Sequence, residues 1–164
     1  MKDKPCFVFI RKPVPSEVPA IYALMHGYAD EGLILERSQE EICGALGAFL
    51  VAVIEDKVVG VISSFDYGQG LVEIRSMAVD KSVGGAGIGS VLLSQMVHQI
   101  LADRDETRIF ALSYSPEFFM KNGFIEVPKG MLPEKIWKDC FNCKDKDNCG
   151  ETALIFSLSR VKEK

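Results

Sequence analysis

The feature that most constrains this chain is Gly84-Gly85-Ala86-Gly87-Ile88-Gly89, set between a strand-like run ending at Val79 and a long apolar-striped stretch. Glycines let a backbone take φ values closed to other residues and approach a ligand closely. The first N–H groups of the following helix have no intrahelical acceptor, so they face outward as an anion nest that the helix dipole reinforces. A pyrophosphate is the natural guest. A P-loop would need Gly-Lys-Ser/Thr, but Ser90 follows Gly89 directly. A dinucleotide fingerprint would need a third glycine, and Gly85 and Gly87 are followed by Ser90. It would also sit in an early βαβ unit, whereas this loop follows successive hairpin strands. The remaining plain alternative is a flexible surface turn.

The order of elements supports a ligand loop. Phe7 to Arg11 reads as a first strand, and Ser16 offers an N-cap for a helix running through Met25 and Tyr28. Ser38 with Glu41 three residues later forms a capping box for a second, short helix. Phe49 to Ile54 and Val58 to Phe65 form a hairpin, and Gly68-Gln69-Gly70 turns into a strand from Leu71 to Val79. A helix from Gly87 to about Ala102 carries two apolar stripes, Val91, Leu92, Met96, Ile100 and Leu93, Val97, Leu101. Arg108 to Ser113 is a strand. Ser115-Pro116 caps a short helix that Gly123 stops, and Phe124 to Val127 and Glu151 to Ser159 are the last strands. This order predicts one α/β domain over residues 1–164, with a mixed sheet, helices on both faces and a cysteine-bearing loop at 129–150.

Bulk properties exclude other classes. The 164 residues suffice for one domain, 48% are hydrophobic and 26% charged, and net charge is −4 with basic residues scattered. Nucleic-acid binding would need a concentrated basic face. No apolar run is long enough for a signal or membrane segment, which predicts a cytoplasmic protein with no membrane partner.

The loop and its strand–loop–helix setting resemble the pyrophosphate motif Arg/Gln-x-x-Gly-x-Gly/Ala of the GNAT acetyltransferases, with Gly84 where that family usually has Arg or Gln. The resemblance implies a mostly antiparallel sheet of about seven strands, splayed where acetyl-CoA enters. It implies that Gly84, Gly85, Ala86, Gly87, Ile88, Gly89 and Ser90 hold acetyl-CoA as co-substrate. Met77, Ala78 and Val79 would bind the pantetheine arm, their N–H groups polarising the thioester carbonyl, and Phe118 and Phe119 would line the same site.

Alternation places Glu73, Arg75 and Met77 on one face of their strand. Glu73 lies six residues before Val79, where several GNAT enzymes carry the base that deprotonates the amine. Glu73 and Arg75 read equally well as a same-face ion pair. Many GNAT enzymes place a tyrosine, the general acid, where this chain has Phe119, so Tyr114 and Ser113 become the candidates.

Leu35-Glu36-Arg37-Ser38, the Glu73 strand and Leu132-Pro133-Glu134-Lys135-Ile136-Trp137 are similar to stretches in the acetyltransferase domains of bacterial N-acetylglutamate synthases, and the tail Trp137-Lys138-Asp139-Cys140-Phe141-Asn142-Cys143 resembles a short stand-alone form. That narrower resemblance implies acetyl transfer to the α-amine of L-glutamate, the first step of arginine biosynthesis, with Arg37, Arg75 and Lys135 receiving its two carboxylates. Another small or protein amine, or a non-catalytic acyl-CoA-sensing domain, are the alternatives. The oligomeric state stays open, a homodimer included.

Cys6 and Cys43 lie in apolar stretches and read as small core residues. Cys140, Cys143 and Cys149 could contribute to a zinc site, whose fourth ligand would come from Cys43, Cys6, His26, His98 or Glu151. The missing second Cys-x-x-Cys half argues against metal.

Overall fold

The computed structural model describes residues 7–34, 36–68, 70–102, 107–128, 130 and 152–156. Its elements are β1 (Phe9–Arg11), α1 (Val18–Asp30), α2 (Gln39–Gly44), β2 (Phe49–Ile54), β3 (Lys57–Gly68), β4 (Leu71–Val79), α3 (Ile88–Ala102), β5 (Arg108–Ser113), α4 (Pro116–Lys121), β6 (Phe124–Val127) and β7 (Thr152–Phe156). The strands form one open, mixed sheet of seven in the order β1-β2-β3-β4-β5-β7-β6. Pairing is parallel between β4 and β5 and antiparallel between β1 and β2, β2 and β3, β5 and β7, and β6 and β7.

The chain groups into two compact units, one drawn from Met1–Phe65 and Ile74–Asp105, the other from Asp66–Glu73 and Glu106–Lys164. In the first unit, β2 is buried from Phe49 to Val53, so both of its faces are covered. Phe49, Val51 and Val53 join Val61 in a core with Val18, Ile21 and Met25 of α1 and Ile42 of α2. Each such side chain contributes roughly 1.5–3 kcal/mol on burial. On the other face, Gly60 lies under Ile88 and Leu92 of α3, beside Ala52. A Cβ at Gly60 would stand 2.9 Å from Leu92 Cδ1 and 3.3 Å from Ile88 Cγ2, so the missing side chain lets the start of α3 lie close on the sheet.

Local chemistry departs from expectation at several points. The first strand begins at Phe9 rather than Phe7. Ser16 does not cap α1: a 3-10 turn covers Pro15–Glu17, and Glu17 stands at the N-cap with its carboxylate gripped by both Arg11 guanidinium nitrogens at 3.0 and 2.7 Å. At α2 the expected capping box is present, with Ser38 N–H donating to Glu41 Oε1 at 2.8 Å and Glu41 N–H to Ser38 Oγ at 3.1 Å. Cys43 is exposed, not a core residue, because Ile42 supplies the buried face of this six-residue helix. Val91 is likewise exposed, and α3 buries Ile88, Leu92, Leu93, Met96, Val97 and Ile100 instead.

In the second unit, Leu71, Phe110 and Ala153 form a small core with Tyr67, Leu112, Val127 and Ile155 against it. Phe118, Phe119, Phe124 and Phe156 stack edge to face in a column with centroids 5.2–5.4 Å apart.

Candidate active site

The glycine loop is held at its entrance by groups from far along the chain. Tyr28 donates to the carbonyl of Val79, the last residue of β4, at 2.7 Å, and Asp80 N–H donates to Val59 O at 2.7 Å. Asp80 caps a turn at Lys81–Val83 by accepting from Ser82 N–H at 2.9 Å and Ser82 Oγ at 2.8 Å. Those two donors hold its carboxyl below the usual aspartate range. Lys81 pairs with Glu31 at 2.6 Å, which raises its pKa, and its ammonium lies 5.5 Å from the centre of the Tyr28 ring.

Past this anchor the chain is open. Gly85 and Gly87 take φ of +85° and +79° with nothing within 4 Å of where a Cβ would stand. Gly84 sits at φ −63° and ψ 150°, a conformation any residue adopts. Residues 84–87 are exposed, and among the described residues the N–H groups of 85–90 meet no protein acceptor. Ile88 is buried against Gly60, so its backbone N–H is all it can offer a ligand, while Gly89 and Ser90 are partly exposed in the first turn of α3. A cradle of unpaired N–H groups at a helix start, unobstructed by Cβ atoms, fits a diphosphate.

Strand β4 leads into this loop. Ser76 has φ +45°, the left-handed region, in mid-strand. The pleat is interrupted there, so the expected continuous face of Glu73, Arg75 and Met77 does not extend past Arg75. Ala78 is buried, and Met77 and Val79 are half-buried. Glu73 is 4% exposed, the one charged side chain buried among the described residues, and Tyr67 donates to its Oε1 at 3.1 Å. The Arg75 guanidinium carbon lies 4.3 Å from the centre of the Phe65 ring, a cation–π stack. Arg37, half-buried, stands just before the Ser38 cap, and neighbouring Glu36 is held by Tyr22 at 3.1 Å and His26 at 3.2 Å.

In the second unit, Ser113 ends β5 and its Oγ accepts from Ser115 N–H at 2.8 Å. Ser115 makes no side-chain cap for α4, contrary to expectation. Tyr114 is 43% exposed. Phe119 is buried in the aromatic column and Phe118 half-buried beside it. Lys135 and the Cys6, Cys140, Cys143 and Cys149 thiols lie outside the described residues. No group of three metal-ligating side chains occurs among those described.

Tyr67, Tyr28 and Gly60 escaped the sequence reading. Tyr28 is a helix residue 51 positions from its partner, and Gly60 sits in a strand with no turn signal. Tyr67 stands beside a turn where Gly68 and Gly70 both have positive φ, which leaves its cross-strand neighbour unspecified by pattern alone.

Residues 45–126 match the acetyltransferase (GNAT) domain model, a span that includes the whole glycine loop. The chain belongs to the GNAT acetyltransferase family. It is 34% identical over 91% of its length to an uncharacterized N-acetyltransferase of Chlorobaculum tepidum, covering 96% of that protein. It is also 34% identical over 77% of its length to an amino-acid acetyltransferase of Mycobacterium tuberculosis, covering 75% of it. Among solved structures, the N-acetylglutamate synthase of Neisseria gonorrhoeae complexed with coenzyme A and N-acetyl-glutamate superposes with a TM-score of 0.82 at 25% identity, over 93% of this chain. The chain spans only 35% of that longer protein. A Mycobacterium tuberculosis protein complexed with CoA and a second small molecule superposes with a TM-score of 0.77 at 28% identity, over 92% of this chain and 99% of that one. This GNAT enzyme is therefore an acetyl-CoA-dependent N-acetyltransferase. Among its described residues, no helix is long and apolar enough to cross a membrane.

Proposed function

We propose that this enzyme transfers the acetyl group of acetyl-CoA to the α-amine of L-glutamate, as the first step of arginine biosynthesis in the cytoplasm, with the whole chain acting as one catalytic domain. The observation that carries the reading is the likeness to the gonococcal synthase holding coenzyme A and N-acetyl-glutamate. The relatives named amino-acid acetyltransferase support it.

The chemistry assigns roles to this chain's own groups. Acetyl-CoA supplies a thioester carbonyl. The N–H groups of residues 85–90 hold its diphosphate, and those of Met77 and Val79 stabilise the negative charge that develops on the carbonyl oxygen. Glu73 takes a proton from the substrate ammonium, because a protonated amine has no lone pair with which to attack. The new C–N bond forms, the C–S bond breaks, and the leaving thiolate takes a proton from Tyr114, Ser113 or water, which the second proton shed by the acylated nitrogen restores. Arg37, Arg75 and Lys135 receive the two carboxylates of glutamate.

A thiol-release assay across L-glutamate, L-glutamine, other amino acids and polyamines tests the substrate. The highest kcat/KM is expected with L-glutamate. A tenfold higher value for any other amine overturns the substrate assignment.

A further inference from the structure

We propose that Tyr67 is a positioning residue that fixes the Glu73 carboxylate. The inference rests on the reading of Glu73 as the base. Tyr67 is the penultimate residue of β3, and the chain reverses immediately after it through Gly68 and Gly70, at φ +87° and +75°. Gly68 N–H donates to Asp66 Oδ1 at 2.7 Å, and Arg108 N–H donates to Gly70 O at 2.7 Å, which helps pin this turn. The Tyr67 ring then packs against Phe110, with centroids 6.0 Å apart and planes tilted by 31°. Phe110 is fully buried and is also the ladder neighbour of Glu73 in the parallel β4–β5 pair. Tyr67, Phe110 and Glu73 thus close a triangle. The aromatic contact aims the phenol, and the phenol donates to Glu73 Oε1 at 3.1 Å.

A buried carboxylate has lost its water shell, and a donor from the protein takes part of that place. A donor on one oxygen also fixes the carboxylate plane, and with it the direction in which the other oxygen presents its lone pairs. Proton transfer depends steeply on such alignment. Phe110 and the turn set the geometry of the phenol, so Tyr67 acts through Glu73 and not on the reacting atoms.

The test is Tyr67→Phe, which keeps the ring and its packing, assayed with the best amine of the thiol-release panel. The expected result is a fall in kcat of about tenfold, the size of one lost hydrogen bond. The KM for acetyl-CoA and the melting temperature should hold. In a Glu73→Gln background the same change should have no further effect on kcat, because the carboxamide that Tyr67 would orient cannot take the substrate's proton. If Glu73→Gln lowers kcat and Tyr67→Phe does not, the positioning role is overturned and the base stands. If Glu73→Gln leaves kcat unchanged, the base reading itself falls, and this inference with it. A Tyr67→Phe effect that persists in full in the Glu73→Gln background, or that appears as lost thermal stability with kcat intact, also overturns the proposal.

Discussion

The Tyr28 hydroxyl donates to the Val79 carbonyl across 2.7 Å, joining α1 to the final residue of β4 just before the glycine loop. That carbonyl is half-buried at the point where the strand gives way to the Asp80 turn. Tyr28→Phe removes the donor and keeps the ring. Net loss of such a bond costs about 1 kcal/mol. The melting temperature should fall by a few degrees and the KM for acetyl-CoA should rise severalfold, while the KM for the amine holds. Calorimetry and steady-state kinetics check both.

Gly60 sets how closely α3 rests on the sheet. Gly60→Ala places a Cβ 2.9 Å from Leu92 Cδ1, and Leu92 is fully buried and cannot swing away freely. Overpacking of this kind costs about 1–3 kcal/mol. Because Ile88 is pushed as well, the loop-bearing end of α3 should move, and acetyl-CoA binding should weaken along with stability. Titration calorimetry with CoA, alongside thermal melts, measures both.

The loop glycines should respond differently to substitution. Gly84→Gln puts the family's usual residue type at an ordinary φ, where its Cβ would lie 3.4 Å from Lys81 O, and it should fold with stability unchanged or slightly raised. Gly85→Ala and Gly87→Ala force a side chain into the left-handed region, at about 1–2 kcal/mol each. Melting temperature and the KM for acetyl-CoA should worsen in the alanine variants and hold or improve in Gly84→Gln.

Acid stability should depend on Glu17. Arg11 donates to both of its oxygens and Val14 N–H to one, which holds the carboxyl below the usual range, with desolvation opposing. A carboxyl depressed on folding stabilises above its unfolded pKa, and that contribution is lost as pH falls through the lower folded value. Glu17→Gln should therefore be less stable than the native chain near neutrality, by about 0.5–1 kcal/mol given the exposed arginine. The gap should close on acidification below the ordinary glutamate range of about 4.3. Urea melts at several pH values measure the gap.

Arg75 and Arg37 separate binding from stability. If either grips a glutamate carboxylate, its alanine variant should raise the KM for glutamate by about ten- to a hundredfold and leave that for acetyl-CoA unchanged. Arg75→Ala also loses the Phe65 stack, which is worth about 0.5–1 kcal/mol at a partly exposed site. Loss of thermal stability with glutamate kinetics intact would remove that arginine from the site.

What could be read from sequence followed the range of the signal. The α2 capping box is contained in four residues, and the bounds of β4 are marked by Gly70 before it and the loop after it. Residue type alone marked the loop and the left-handed backbone of Gly85 and Gly87. Ser76 did not, because a left-handed serine in mid-strand is imposed by tertiary context against its own preference. The cap at Ser16 failed for a similar reason, since a bidentate grip from Arg11 stabilises Glu17 at the helix start instead. The hydroxyl on Glu73 and the anchor on Val79 link residues through three-dimensional turns that no periodicity encodes.

The outward N–H array of the glycine loop is backbone, and Lys81 at its entrance is paired with Glu31. Natural variation in this loop then has an uneven target. Positions 84, 86 and 90 can drift in side-chain identity while the N–H array persists. Positions 85 and 87 are held to glycine by conformation alone. A descendant lineage could thus change the loop's charge, and with it its salt response and its neighbours, without disturbing that N–H array.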